Sequence, residues 1–477
     1  MATLRSTSVL AVVLCAVALL AGCTRFVDGR AVSVYDDPFQ VAGLPTTSGP
    51  SGPREGVPDT TLTAINGDGG EVDTLALNAV EDIQTYWRVE YGKAFEGEFA
   101  PVERLVSWSA KDRREGPEFC KESTYRLVNA AYCRLDKSIG WDRAVLLPTM
   151  AETFGQMAVV MVLAHEYGHA IQDQSGIVAT KDPVIVKEQQ ADCFAGAFIR
   201  HVAEGKAAHF TINTSDGLNS VLAATVAIRD TDPDDPTSVH GSAFERVTAV
   251  QIGFTDGPVA CKSIDIDEIN QRRGNLPQTL GGQNGEYPID KDSLIELSKA
   301  LETILPLDNS PTYDYSGATI SCANGVTTSP VSYCPADNTI ATDIPLLAER
   351  GTDDTDDDPL PVKVTGDYNG YVVFIARYTL AVQNSHGQSL SGAKTGLRAA
   401  CLAGVVTGEL ADPNRERSEG NITLAAGDLD EAVSGLLTDG LAASDVQGKT
   451  VPSGFARVDA FRAGVLYGEN TCMSRYS

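Results

Sequence analysis

Residues Met157 to Gln172 read MAVVMVLAHEYGHAIQ, and this stretch sets the organisation of the chain. Met157 to Ala164 are almost wholly apolar, which predicts a buried helix that carries the next residues to the floor of a cleft. Those residues are His165-Glu166-Tyr167-Gly168-His169, an H-E-x-x-H pattern. On a helix, residues four apart stand one above the other, so His165 and His169 can direct two imidazoles at one metal ion. Glu166 lies about 100° further round the helix and can reach a water on that metal. A solvated amphipathic helix can contain the same pattern by chance, so the reading depends on the residues downstream.

Catalytic zinc takes three protein ligands and keeps one position open. The third is sought in Glu188-Gln189-Gln190-Ala191-Asp192-Cys193-Phe194-Ala195-Gly196. This segment resembles the E-x-x-x-D element of the gluzincin metallopeptidases, and more closely a segment of the neutral zinc metallopeptidase family. The Y-C-P-A-D segment of that family stands at Tyr333 to Asp337, and an H-G-[ST]-x-x-x-R-V-like segment at His240 to Val247. The resemblance implies a Zn2+ cofactor, with Glu188 as third ligand beside His165 and His169. Asp192, one turn after Glu188, can accept a hydrogen bond from the far nitrogen of a ligand histidine and fix its tautomer.

The chemistry this implies is hydrolysis of a peptide bond. Glu166 is the expected general base, taking a proton from the attacking water and returning it to the leaving amine. Zinc and a further donor would hold the oxyanion. His240 is a candidate for that donor, against the plainer reading of a loop residue that positions Gly241. Tyr167 is expected to pack, and Gln172, which recurs as Gln383, to be structural.

At the amino terminus, residues 1–22 carry Arg5 and then an apolar core, Val9 to Leu20, as a secretion signal does. Leu20-Ala21-Gly22-Cys23 resembles a bacterial lipobox. It implies lipidation of Cys23 and anchoring in a lipid bilayer at the extracytoplasmic face of the cell membrane. Residues 23–70 are the lipidated terminus and, from about Asp36, a Pro-, Gly-, Ser- and Thr-rich stretch expected to be a flexible linker. With that anchor, the chain resembles the LpqM-type lipoprotein peptidases of actinobacterial envelopes. The formal net charge of -27 and the lack of a basic cluster argue against nucleic-acid binding. The acidic runs Asp230 to Asp235 and Asp353 to Asp358 lack the spacing and central glycine of a calcium loop and are expected to be solvated.

The chain contains matching segments in the same order. Ala130 to Asp142 matches Val331 to Asp343, and Val159 to Gly176 matches Gly370 to Gly387. Glu188 to Phe198 matches Gly396 to Val406, and Gly241 to Cys261 matches the segment ending at Cys472. The offset is 211 residues at Gly176 and at Cys261, and 208 at Cys193. Order and offset argue for duplication. The second copy has lost the chemistry: Ala376, Arg377 and Leu380 stand where His165, Glu166 and His169 do, and Gly396 and Ala400 replace Glu188 and Asp192. The expected fold is therefore α+β, mainly helical, with a zincin-like metallopeptidase unit at 71–264 and a degenerate repeat at 265–477. Helices are expected over Val80 to Val89, Met150 to Gln172, Ile185 to Ala203, Leu218 to Arg229 and Phe244 to Phe254, with counterparts in the repeat.

Eight cysteines remain beyond Cys15 and Cys23, an even number that suits disulfides outside the cytoplasm. Copies that pair their cysteines alike give Cys120–Cys133, Cys193–Cys261, Cys322–Cys334 and Cys401–Cys472. A fourth ligand at Cys193 would close the open zinc position. The expectation is thus a membrane-anchored, extracytoplasmic zinc metallopeptidase acting on proteins or peptides of the cell envelope. Two alternatives stand beside it: a scaffold that holds zinc without turnover, and a metallohydrolase of non-peptide cell-wall amides.

Overall fold

The computed structural model describes residues 36–112, 117–228, 241–273, 287–318, 322, 327–352, 364, 366–412, 422–424 and 427–477. Cys23, His240 and the two acidic runs lie outside the described residues. The fold is α+β and mainly helical, with small sheets.

Two of the sheets have three strands and the same connectivity. In the first, Ser138–Asp142 lies at the centre, parallel to Arg104–Trp108 and antiparallel to Ala130–Cys133. In the second, Thr339–Thr342 is central, parallel to Thr312–Asp314 and antiparallel to Val331–Cys334. Lys137 and Asn338 take positive φ, at 53° and 47°, in the turns that close the two hairpins. The hairpin strands do not stand out in the sequence, because each is only four or five residues long.

Helices follow in parallel series. Glu71–Ala94 precedes the first sheet; Leu146–Phe154, Gln156–Ser175, Val184–Ala203, Asp216–Ala227 and Ala243–Asp256 follow it. Lys291–Ile304 precedes the second sheet; Ile344–Ala348, Tyr368–Ser385, Ala393–Ala411, Asp428–Thr438 and Gly454–Tyr467 follow it. The helix expected over Met150 to Gln172 is two helices, because Gly155 between them has φ 82° and ends the first. The first helix extends well beyond the expected Val80 to Val89.

Glycines set the closest helix crossings. A Cβ on Gly196 would lie 2.3 Å from the Val250 carbonyl oxygen, and one on Gly253 would lie 1.7 Å from that of Cys193. The second half repeats the arrangement: Gly404 would meet the Phe461 oxygen at 2.0 Å, and Gly464 the Cys401 oxygen at 1.8 Å. Each crossing is stapled nearby, by Cys193–Cys261 and Cys401–Cys472. Cys120–Cys133 and Cys322–Cys334 tie the strands that precede. These four pairs are the ones that equivalent pairing implies, and Cys193 is a bridge rather than a ligand. Closing the two long loops contributes about 4 kcal/mol each in the chain-entropy account.

Residues 71–264 and 265–477 pack as halves of one compact unit with a continuous core. Phe244 stacks on Phe461 at 5.8 Å, and the Asn219 side chain bridges the Pro452 carbonyl and the Gly454 amide. The stretch 36–70, expected as a flexible linker, is pinned to that body. Gly52–Pro53 pairs with Phe210–Thr211, the Thr47 amide donates to Thr214 Oγ1, and Ile65 bridges Leu105 and Ser107. The composition that suits a tether also supplies extended backbone and hydroxyls, which here find partners on the body. No described helix is long and apolar enough to cross a membrane.

Gly253→Ala and Gly464→Ala are expected to destabilise the protein by about 1–3 kcal/mol or more each, because the added methyl meets backbone. Gly92→Ala, inside an exposed turn of Glu71–Ala94 with nothing within 4 Å of the new atom, is expected to be neutral or stabilising by up to about 1 kcal/mol. Urea unfolding midpoints of the three variants check both expectations.

Candidate metal centre

The glycine inside the motif brings the site together. A Cβ on Gly168 would lie 2.9 Å from the Ala191 Cα, so Gln156–Ser175 and Val184–Ala203 meet backbone to backbone at that point. The contact falls between His165 and His169 on one helix and between Glu188 and Asp192 on the other. All four side chains are thereby turned into one space.

There, His165 Nε2 lies 3.2 Å from Glu188 Oε2, and His169 Nε2 lies 3.5 Å from Glu188 Oε1. One ligand atom from each of the three residues falls within 4.8 Å of the others. The far nitrogens are both engaged. His165 Nδ1 is 2.8 Å from Asp192 Oδ1, and His169 Nδ1 is 3.0 Å from Gln172 Oε1. Both partners are acceptors, so each Nδ1 carries a proton, and when the ring is neutral its Nε2 lone pair points inward. The Gln172 orientation is set by its amide nitrogen, which donates to the Lys187 carbonyl at 2.7 Å. Gln172 is thus structural, as expected, but it also touches His169.

Asp192 is fully buried and serves two partners. Besides His165, it receives a forked pair from Arg246, with Nε to Oδ2 at 2.8 Å and a terminal nitrogen to Oδ1 at 2.7 Å. A third Arg246 nitrogen donates to the Ile228 carbonyl at 2.6 Å. Burial alone would raise Asp192, but the Arg246 charge and hydrogen bonds hold its carboxyl below the usual range. Arg246 stands within the segment His240 to Val247 and aligns with Arg457, yet nothing local in the sequence links it to Asp192.

Glu166 faces the same cleft. Its Oε2 accepts the Tyr132 amide at 2.9 Å, which fixes the carboxylate beside the strand Ala130–Cys133. Burial raises its pKa, against the lowering effect of the two histidines. The Tyr132 hydroxyl in turn donates to Asp173 at 3.0 Å. The cleft holds about 280 Å³, and Ala130 to Tyr132, Met161, Val162 and Ile228 are among the residues that line it. Tyr167 packs, as expected: it is buried and its hydroxyl accepts the Val102 amide.

The charge balance of this space favours a cation. Glu166, Glu188 and Asp192 supply three carboxylates, and Arg246 is the one guanidinium among the residues lining it. Burial would lower His165, yet Asp192, with Glu188 and Glu166, pushes it up to about 10. His169 is raised against burial by Glu188, and Glu188 is held far below the carboxylate range by both histidines despite its own burial. Inward lone pairs that face carboxylate oxygens at 3.2 and 3.5 Å need positive charge between them, whether as protons or as a metal ion. The donor set of two imidazoles and one carboxylate fits zinc with an open fourth position.

The equivalent space in the second half is filled. Arg377 is buried and donates to the Asp445 carbonyl and to Ser444. A Cβ on Gly396 would lie 2.6 Å from the Ala443 oxygen, so the turn around Leu441–Ala443 occupies the space a longer side chain would need. Among the described residues one other group, Asp367, Asp428 and Glu431, brings three ligand atoms within 4.8 Å. It has no imidazole, and the Tyr287 and Tyr368 amides donate into it.

The chain is similar to proteins of Mycobacterium bovis and Mycobacterium tuberculosis that are described as uncharacterized. Identity is 28% over 169 residues, covering 30% of this chain and 57% of each relative. No protein-family model matches the chain, and no solved structure matches it.

Arg246→Ala is expected to cost about 3–5 kcal/mol, since it leaves Asp192 buried beside His165 without its guanidinium. Arg457→Ala is expected to cost less, because Arg457 bonds the Val451 and Leu436 carbonyls and strands no carboxylate there. Denaturant unfolding of the two variants measures the difference.

Proposed function

We propose that the protein is a zinc metallopeptidase of the neutral zinc metallopeptidase type, held at the extracytoplasmic face of the membrane through Cys23. One observation carries the reading: the ligand atoms of His165, His169 and Glu188 converge within 4.8 Å, with Glu166 fixed beside them in an open cleft. His165, His169 and Glu188 would hold the ion. Bound there, zinc would supply Lewis acidity and bring the pKa of a water molecule to about 7.

The remaining work falls to the chain's own side chains. Glu166, raised by burial and steadied by the Tyr132 amide, takes a proton from the attacking water and passes it to the leaving amine. Asp192 and Gln172 keep both imidazoles in the tautomer that presents Nε2. The peptide substrate is favoured by the strand beside the site. Ala130–Cys133 is an edge strand of its sheet among the described residues, and Ala130, Ala131 and Tyr132 line the cleft. An extended chain can lie along such an edge through main-chain hydrogen bonds.

The second half belongs to the same proposal as a degenerate copy of a zincin-like unit. Support comes from the shared sheet connectivity, the matched disulfides and the matched glycine crossings. Smaller contacts repeat as well. Tyr132 meets Asp173, and Tyr333 meets Asn384; Gln172 and Gln383 both donate to a carbonyl of the next helix.

Purified mature protein is expected to hold one zinc per chain, and His165→Ala to lose it, by metal analysis after dialysis. Glu166→Gln is expected to keep the metal and lose peptide hydrolysis by about 10²–10⁴. Two zincs per chain, or full peptidase activity in Glu166→Gln, would overturn the proposal. A metal-binding protein that cleaves no peptide in any form would favour the scaffold alternative.

A further inference from the structure

We infer that Asp430, in the second half, is a positioning residue for the metal centre of the first. The inference rests on the proposed metal site. The second half then acts on the site by fixing the helix that carries Arg246.

The route is short. Asp430 is buried, and its Oδ1 accepts the Ala243 amide at 2.8 Å. Ala243 is the first residue of Ala243–Asp256, so the carboxylate satisfies a main-chain donor that the helix itself leaves unpaired. Its negative charge also sits at the positive end of the helix. Three neighbouring donors are met locally. Ser242 and Glu245 form a reciprocal cap, with the Ser242 amide on Glu245 Oε2 at 2.9 Å and the Glu245 amide on Ser242 Oγ at 3.4 Å. The Arg246 amide makes the first main-chain helical bond, to the Ser242 carbonyl at 3.0 Å. Arg246 therefore ends the turn that Asp430 begins.

From Arg246 the chain of contacts runs to the metal ligand. Arg246 grips Asp192 with two hydrogen bonds, and Asp192 holds His165 Nδ1. A tilt or slide of the first turn moves the guanidinium and with it the histidine. The rest of the helix is held from the same side. Phe244 stacks on Phe461, the Gln251 amide reaches the Phe455 carbonyl, and Arg462 reaches Thr248. The neighbouring cleft helix Asp216–Ala227 is held through Asn219. The half without ligands thus grips both helices that bring Ala224, Thr225 and Arg246 to the lining of the cleft.

The test uses the full mature protein with zinc alone as the ligand. Asp430→Ala is expected to weaken zinc binding by roughly 10-fold, the low end of the range for losing an outer partner of a ligand histidine, since Asp430 acts on that partner through Arg246. Cobalt substituted at the site is expected to show a changed visible spectrum. Ala243→Pro removes the same hydrogen bond from the other side. Proline is tolerated at the first helical position, and Ser242 already has the extended backbone that a following proline requires. It is expected to match Asp430→Ala, and the double variant to add nothing. Asp430→Asn, which keeps an acceptor, is expected to restore most of the affinity.

Asp290→Ala serves as the control. Asp290 caps Lys291–Ile304 through the Ser293 amide at 2.9 Å, on a helix whose residues do not line the cleft. It is expected to lower the melting temperature of the metal-free protein and leave zinc affinity unchanged. Wild-type affinity in Ala243→Pro, or equal weakening in Asp290→Ala, would overturn the inference while leaving the metal site standing. A wild-type protein that binds no zinc would overturn the metal site itself, and this inference with it.

Discussion

A carboxylate with no exposure to solvent, Asp192, joins the helices of the first half. It holds His165 on one helix and Arg246 on another while standing on a third. A buried charge of this kind is tolerated because both of its oxygens are engaged and its opposite charge lies within 3 Å. Such an arrangement adds little net stability compared with apolar packing, so its value lies in what it specifies. Here it fixes which face of His165 looks inward. The constraint is that three helices must keep their relative positions closely, and glycines at the crossings make that possible. Gly168, Gly196 and Gly253 each bring two backbones so close that no other residue fits without displacement.

Much of the candidate site was legible because helical periodicity links residues close in sequence. His165, Glu166 and His169 follow from one turn of helix, and Glu188 and Asp192 from another. The family resemblance joins the two turns without any geometry. What sequence alone does not give is the partner of each far nitrogen. The sequence places Asp192 against a ligand histidine without saying which, and it lies against His165. Gln172 sits three residues after His169, and its repeat partner Gln383 points only to a structural role. Arg246 lies 54 residues from Asp192, a separation at which no local pattern carries information. The disulfide pairs were legible because the repeat supplied a second, independent copy of the same spacing.

The fold was less legible than the site. The short strands around Cys133 and Cys334 match each other in sequence but do not read as strands, since four residues offer too few alternations to show a period of two. The amino-terminal stretch misleads for a different reason. Proline, glycine and hydroxyl residues predict a chain that cannot form its own core, and that remains true of residues 36–70. What composition does not reveal is a surface elsewhere with matching donors and acceptors. Thr214, Ser215 and Asn213 provide it here, taking bonds from or giving them to Thr47, Ser51 and Gly49.

The second half shows what the first gives up to keep an open site. At the position of Glu166 it has Arg377, which is buried against a carbonyl and a hydroxyl. At the position of Glu188 it has Gly396, against which the chain itself folds. Arg457 keeps the place of Arg246 but directs its hydrogen bonds to carbonyls, with Ala400 where Asp192 would be. The matched positions there carry no carboxylate, and the buried group Asp367, Asp428 and Glu431 of that half lies at other positions, with main-chain amides donating into it. Buried carboxylates gathered round an open cleft are a strain that a stable half can offset, which is the usual relation between functional sites and the scaffold around them. A half joined to the first through a shared core, with its matched positions filled by packing, is suited to hold its neighbour's helices still. Under the proposed reading, that accounts for a half without the candidate ligands sharing the glycine crossings, the disulfide pattern and a matched guanidinium with the half that has them.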